Sequence, residues 1–209
     1  MGRDDEDDAP LDPAEGLAIV SEQRRRVLDS EVDDRVIFGT WGVLWLVGYA
    51  LQWWSAERSP TGTSTGPAGA VFGALMVLGL VVTLTHIARR SSGMQGTSRD
   101  VGTRFGLTWF AGFMAQALVV AGVVRAGASP EVIAIVANSL ACVVVGLLYM
   151  ACGAMWQVRS LYALGVWVIA TAGVASLVGT PTGYLVMSLG GGGGMLVGAA
   201  VTHLARRRT

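Results

Sequence analysis

The chain has 209 residues, with 15 arginines, no lysine and 15 acidic residues, and its formal net charge is zero. Apolar residues make up 52 % and charged residues 14 %, where soluble domains carry about a quarter charged residues. This argues against an ordinary soluble enzyme and a disordered chain, and neutrality argues against nucleic acid as the main partner.

Residues 1–35 read as an acidic arm. Residues 1–34 hold twelve acidic residues against four arginines, a charge of −8, and residues 35–209 hold three against eleven, a charge of +8. Neutrality is a cancellation between the two, which suggests that the arm lies electrostatically against the rest. Residues 1–10 offer no apolar surface to bury, so no packed structure is expected there. A short amphipathic helix is predicted next. Asp12 suits the N-cap, Pro13 the first helical position, and Glu15 a capping-box spacing. Leu17, Val20, Val27 and Leu28 fall roughly along one side, interrupted by Arg24, with Glu22, Arg25, Arg26 and Asp29 facing away. Such a helix suits headgroups or the bundle surface, or else docks a cytoplasmic protein.

Six apolar stretches follow, at 36–54, 66–87, 105–124, 132–155, 161–178 and 183–204, none with an Asp, Glu, Arg or Lys. A helix crosses a bilayer with about 20 such residues, and the runs lack the alternation of barrel strands. The predicted class is all-α: a polytopic bundle of six transmembrane helices over 36–209, preceded by the cytoplasmic amphipathic helix. The first run follows acidic residues and is long enough to span, so it does not read as a signal peptide. No lipidation motif is visible. With the N-terminus inside, the cytoplasmic segments carry Arg24, Arg25, Arg26, Arg35, Arg89, Arg90, Arg99, Arg104, Arg159, Arg206, Arg207 and Arg208, and the outer loops only Arg58 and Arg125. The positive-inside rule then places both termini in the cytoplasm.

The arm DPAEGLAIVSEQRRRV, followed by WGVLWLVGY at 41–49, resembles the start of small six-span integral membrane proteins of high-GC bacteria, a group loosely labelled transporters on topology. Arginine without lysine and a single Asn fit a GC-rich coding sequence. The resemblance implies a bacterial cytoplasmic membrane and fixes no catalytic residue.

Along the first span, Trp41, Trp45, Tyr49 and Trp53 recur every four residues. Trp53 and Trp54 suit the outer aromatic belt. The deeper pair, Trp41 and Trp45, suits packing, or a face for lipophilic cations. The second span ends THIARR and the sixth THLARR, which suggests hairpin repeats relating spans 1–2 to spans 5–6. His86 and His203 are the only ionisable residues within spans. They read as interfacial side chains, or as a pH-sensitive pair at the inner mouth.

On the fourth span Asn138, Cys142, Tyr149, Cys152 and Trp156 share one face, which should turn inward for interhelical hydrogen bonding or to line a cavity. Cys142 and Cys152 lie about 15 Å apart along a helix, too far to bridge. No metal, redox or cofactor site is expected. In the sixth span Gly190, Gly191, Gly192, Gly193 and Gly194 are consecutive. One reading is a close-packing ladder of Gly190, Gly194 and Gly198, which Gly69 and Gly73 would imitate in the second span. The other is a helix break whose carbonyls line a midplane site.

A rhomboid-type protease needs Ser and His at one depth. Ser139 lies about 18 Å in depth from His203, and Ser188 also lacks a His at its depth, so enzyme activity is not expected. The leading expectation is a permease-like or transport-associated protein without an energy-coupling motif, either oligomeric or part of a larger assembly. The alternative is a non-transporting scaffold or sensor whose arm binds a cytoplasmic regulator. Transport predicts a continuous cavity touching Asn138, Tyr149 and the glycine run; a scaffold predicts a filled bundle.

Overall fold

A computed structural model describes residues 34–90 and 97–206. The predicted N-terminal helix lies outside the described residues. The described chain is helical: α1 (Asp34–Ala56), α2 (Gly66–Arg90), α3 (Thr97–Arg125), α4 (Pro130–Met155), α5 (Arg159–Val178), then α6 (Thr182–Val186), a π-helical segment (Met187–Gly192) and α7 (Gly193–Arg206). The last three run on as one sixth span. Among the described residues six helices are long and apolar enough to cross a membrane, as the apolar runs predict, and the chain is that of a multi-pass membrane protein.

Boundaries follow local chemistry. Pro130 starts α4 behind Ser129, whose side chain accepts the Val132 N–H at 3.3 Å, a normal helix start. Gly179 ends α5 at φ +70°, a left-handed conformation that glycine adopts without strain. The third helix begins eight residues earlier than the apolar run, at Thr97. Its polar first turn carries no span signal, yet Asp100 there suits the helix dipole.

The helices pack in the order α2, α1, sixth span, α5, α4, α3. Side chains also join α1 to α4: Tyr49 donates to Asn138 Oδ1, and the rings of Phe38 and Tyr149 stand 6.4 Å apart. The core is therefore centred on α1, α5 and the sixth span, with Phe38, Trp45, Tyr49, Val168, Ala172, Met187 and Met195 buried together. By contrast, no residue in the apolar stretch of α3 is buried. Its outer face presents Phe110 at 64 % and Leu118 at 67 % exposure. Such a surface is costly in water and suits lipid.

Small residues set the closest crossings. A side chain at Gly146 would meet Gly165 O at 2.8 Å, and one at Gly165 would meet Gly146 O at 2.5 Å. The α4 and α5 backbones thus touch directly. Gly69 and Gly73 do not act as the sequence suggests, since nothing lies within 4 Å of either. In α2 the contact falls on Gly79 instead, under Trp41 and Leu44.

The close crossings give a direct stability test. A Cβ at Gly192 would lie 2.5 Å from Leu46 N, whereas one at Gly193 would meet nothing within 4 Å. Gly192→Ala is expected to destabilise the purified protein by about 1–3 kcal/mol, as overpacking does. Gly193→Ala is expected to be neutral or to stabilise by up to about 1 kcal/mol. Reversible unfolding in bicelles measures both.

Candidate functional site

Trp45, Tyr49, Asn138, Cys142 and the glycine run gather around α1, α4, α5 and the sixth span, whereas Trp41 and His86 belong to the α1–α2 side and Trp156 packs on α3. The glycine run lies at the centre, and it is neither a simple ladder nor a break. Gly190 and Gly194 face α5: a Cβ at Gly190 would meet Thr171 at 2.8 Å, and Gly194 sits against the Trp167 indole nitrogen. Gly191 and Gly192 face α1, under Trp45 and against the Leu46 and Gly42 backbone. Gly193 faces open space, and Gly198 only grazes Phe38 at 3.9 Å. The run thus lets the sixth span approach two helices at once. The expected ladder holds for Gly190 and Gly194 alone.

The helix stays continuous by widening into a π segment, as such insertions do. Its polar groups find partners in neighbouring helices. Trp167 Nε1 donates to Gly190 O at 2.8 Å, and Ser188 Oγ donates to Leu46 O at 2.7 Å. Backbone groups are thereby satisfied inside protein, as a membrane interior requires.

The polar stripe of α4 turns inward as predicted over most of its length. Asn138 accepts from Tyr49, Cys142 is fully buried beside the same hydroxyl, and Tyr149 lies between Phe38 and Trp109. Trp156 leaves the stripe. It caps the end of α4 and packs its ring on Phe105 of α3, centroids 5.5 Å apart. The helix stops before it, so the helical spacing no longer applies.

Trp41 and Trp45 do not form an open face for a cation. Trp41 donates to Thr83 Oγ1 at 3.0 Å and lies under Gly79; Trp45 is buried against Gly191. The Trp45 indole nitrogen is buried without a hydrogen-bond partner. His86 and His203 are both half-buried, on α2 and α7, which each pack on α1 and make no substantial contact with one another. His86 Nε2 is buried without a partner, while His203 engages in contacts.

The first and last hairpins share a device that sequence reading missed. In each, a tryptophan of the first helix donates its indole N–H to the second helix and lies against a glycine there: Trp41 with Thr83 and Gly79, Trp167 with Gly190 and Gly194. The tryptophans stand six and eight residues beyond Arg35 and Arg159, so the registers differ.

One cleft opens at the bundle end opposite Asp34. Asn138, Ser176, Thr180 and Tyr184 supply its polar lining, and its usable volume is about 20 Å³, where one water needs roughly 10–15 Å³. The Ser139 and Ser176 hydroxyl oxygens lie 2.5 Å apart beside it, so one donates to the other and the second donates to the carbonyl on its own helix, Ile135 O or Ala172 O. The cleft touches Asn138 but neither Tyr149 nor the glycine run. Among the described residues no group of three His, Cys, Asp or Glu is placed to hold a metal ion.

The Tyr49–Asn138 contact ties α1 to α4, and its strength is measurable. A double-mutant cycle with Tyr49→Phe and Asn138→Leu is expected to give a coupling of about 0.6 kcal/mol and no more than about 1.7, the span for interhelical hydrogen bonds in membranes. Unfolding free energies of the four proteins in one lipid mixture provide it. No protein-family model matches the chain, and comparisons with curated proteins and with solved structures give no match.

Proposed function

We propose that the chain is a non-transporting membrane scaffold or sensor whose acidic arm engages a cytoplasmic protein. It sits in a bacterial cytoplasmic membrane with both termini inside, an orientation that rests on the arginine distribution. The observation that carries this reading is the filling of the glycine run. Thr171 and Trp167 occupy one side and Trp45 and Leu46 the other, where a transport path would need space. The polar stripe of α4 is likewise spent on helix packing. The arm and the outward helix faces then remain to offer a partner. The reading assigns no catalytic step and no cofactor.

A permease-like role is the second reading. The cleft that reaches Asn138 favours it, as does the π segment, a feature frequent at functional sites.

Two measurements separate the readings. Photo-crosslinking groups placed in the arm of the protein in cells are expected to give one discrete protein adduct, and no discrete adduct would overturn the reading. Liposomes holding the purified protein are expected to pass ions and small polar solutes no faster than empty ones. A solute flux that Ser176→Trp abolishes would select the permease instead.

A further inference from the structure

We propose that the arm of this same chain, residues 1–33, docks on a basic and aromatic seat formed by the adjoining ends of α3, α4 and α5. The seat faces the bundle end from which the arm springs. Each crossing reverses direction, so the start of α1, the end of α2, the start of α3, the end of α4 and the start of α5 lie at one end. Arg104 and Arg159 are exposed there. Near them in sequence, Phe105 and Trp156 pack edge to face at 5.5 Å. Met155, Trp156 and Tyr162 remain 58 %, 47 % and 44 % exposed.

Charge names the occupant. From residue 35 onward the acidic residues are Glu57, Asp100 and Glu131, and of these only Asp100 lies at the seat's end of the bundle. The arm brings the missing charge, −8 over residues 1–34 against +8 over the rest. It also brings Leu17, Val20, Val27 and Leu28, which suit the exposed aromatic and thioether surface. Its length suffices, since 33 residues reach on the order of 100 Å when extended and are joined to α1 at Asp34. The tether keeps the arm at high effective concentration beside the seat. A seated arm is withheld from a cytoplasmic protein, so the seat regulates the engagement proposed above and rests on that reading for its consequence, but not for its existence.

Double electron–electron resonance on the full chain tests it. Spin labels go on Ser21→Cys and Ser160→Cys with Cys152→Ala, Cys142 being fully buried. Nanodiscs of zwitterionic lipid, and of the same lipid with an anionic one, hold the protein. A short, narrow distance is expected at low salt in both lipids. It should broaden at about 1 M salt, where the Debye length falls to roughly 3 Å. Arg104→Gln with Arg159→Gln should lower the short-distance population about tenfold at low salt, as much as two exposed ion pairs supply. A broad distribution at low salt overturns the proposal, and so does a narrow one indifferent to salt and to the arginine changes. Loss of the short distance only in anionic lipid assigns the seat to headgroups and also overturns it. The measurement uses purified protein, so the absence of any cytoplasmic partner would refute the scaffold reading and leave this result standing.

Discussion

Backbone contact between the sixth span and its two neighbours is the constraint on which the rest of the bundle depends. Helices in a membrane gain little from apolar burial against one another, because lipid is as apolar as leucine. Association must come from close packing and from hydrogen bonds. The glycine run supplies the first: Gly192 meets the α1 backbone, and Gly190 meets Thr171 of α5. The π segment supplies the second, since Trp167 and Ser188 bond across to and from neighbouring helices. Glycine disfavours a helix in water by about 1 kcal/mol relative to alanine. Here that cost is offset by an approach no larger residue permits.

From this centre the structure loosens outward. Gly146 and Gly165 bind α4 to α5 by the same means, and Gly79 lets α2 settle on Trp41. Among the described residues α3 packs mainly on α4 and buries nothing of its apolar stretch. Polar side chains near the centre also link helices: Asn138 with Tyr49, Ser139 with Ser176.

The six spans were legible because successive charge-free runs of bilayer length fit a membrane and little else. The inward face of α4 was legible because Asn138, Cys142 and Tyr149 recur at helical spacing and Asn is costly in lipid. What failed has a common cause. Gly69 and Gly73 have the right spacing but face no helix, whereas Gly146, Gly153 and Gly165 look ordinary in sequence and sit at crossings. Spacing reveals which residues share a face; it does not reveal which helix lies opposite. Trp156 left its stripe because the helix ended one residue earlier, and helix ends are the least legible feature of a sequence. The π segment had a signal in the five glycines, but a straight helix or a break would carry the same one.

The central claim is that protein, not water, packs against Gly190, Gly191, Gly192 and Gly194. Amide hydrogen exchange of residues 187–194 in nanodiscs tests it most directly. The account predicts protection equal to that of the buried α5 backbone around Val168, persisting until the whole bundle opens. Exchange within minutes at Gly190 and Gly191, with α5 still protected, would place water along the run and contradict the account.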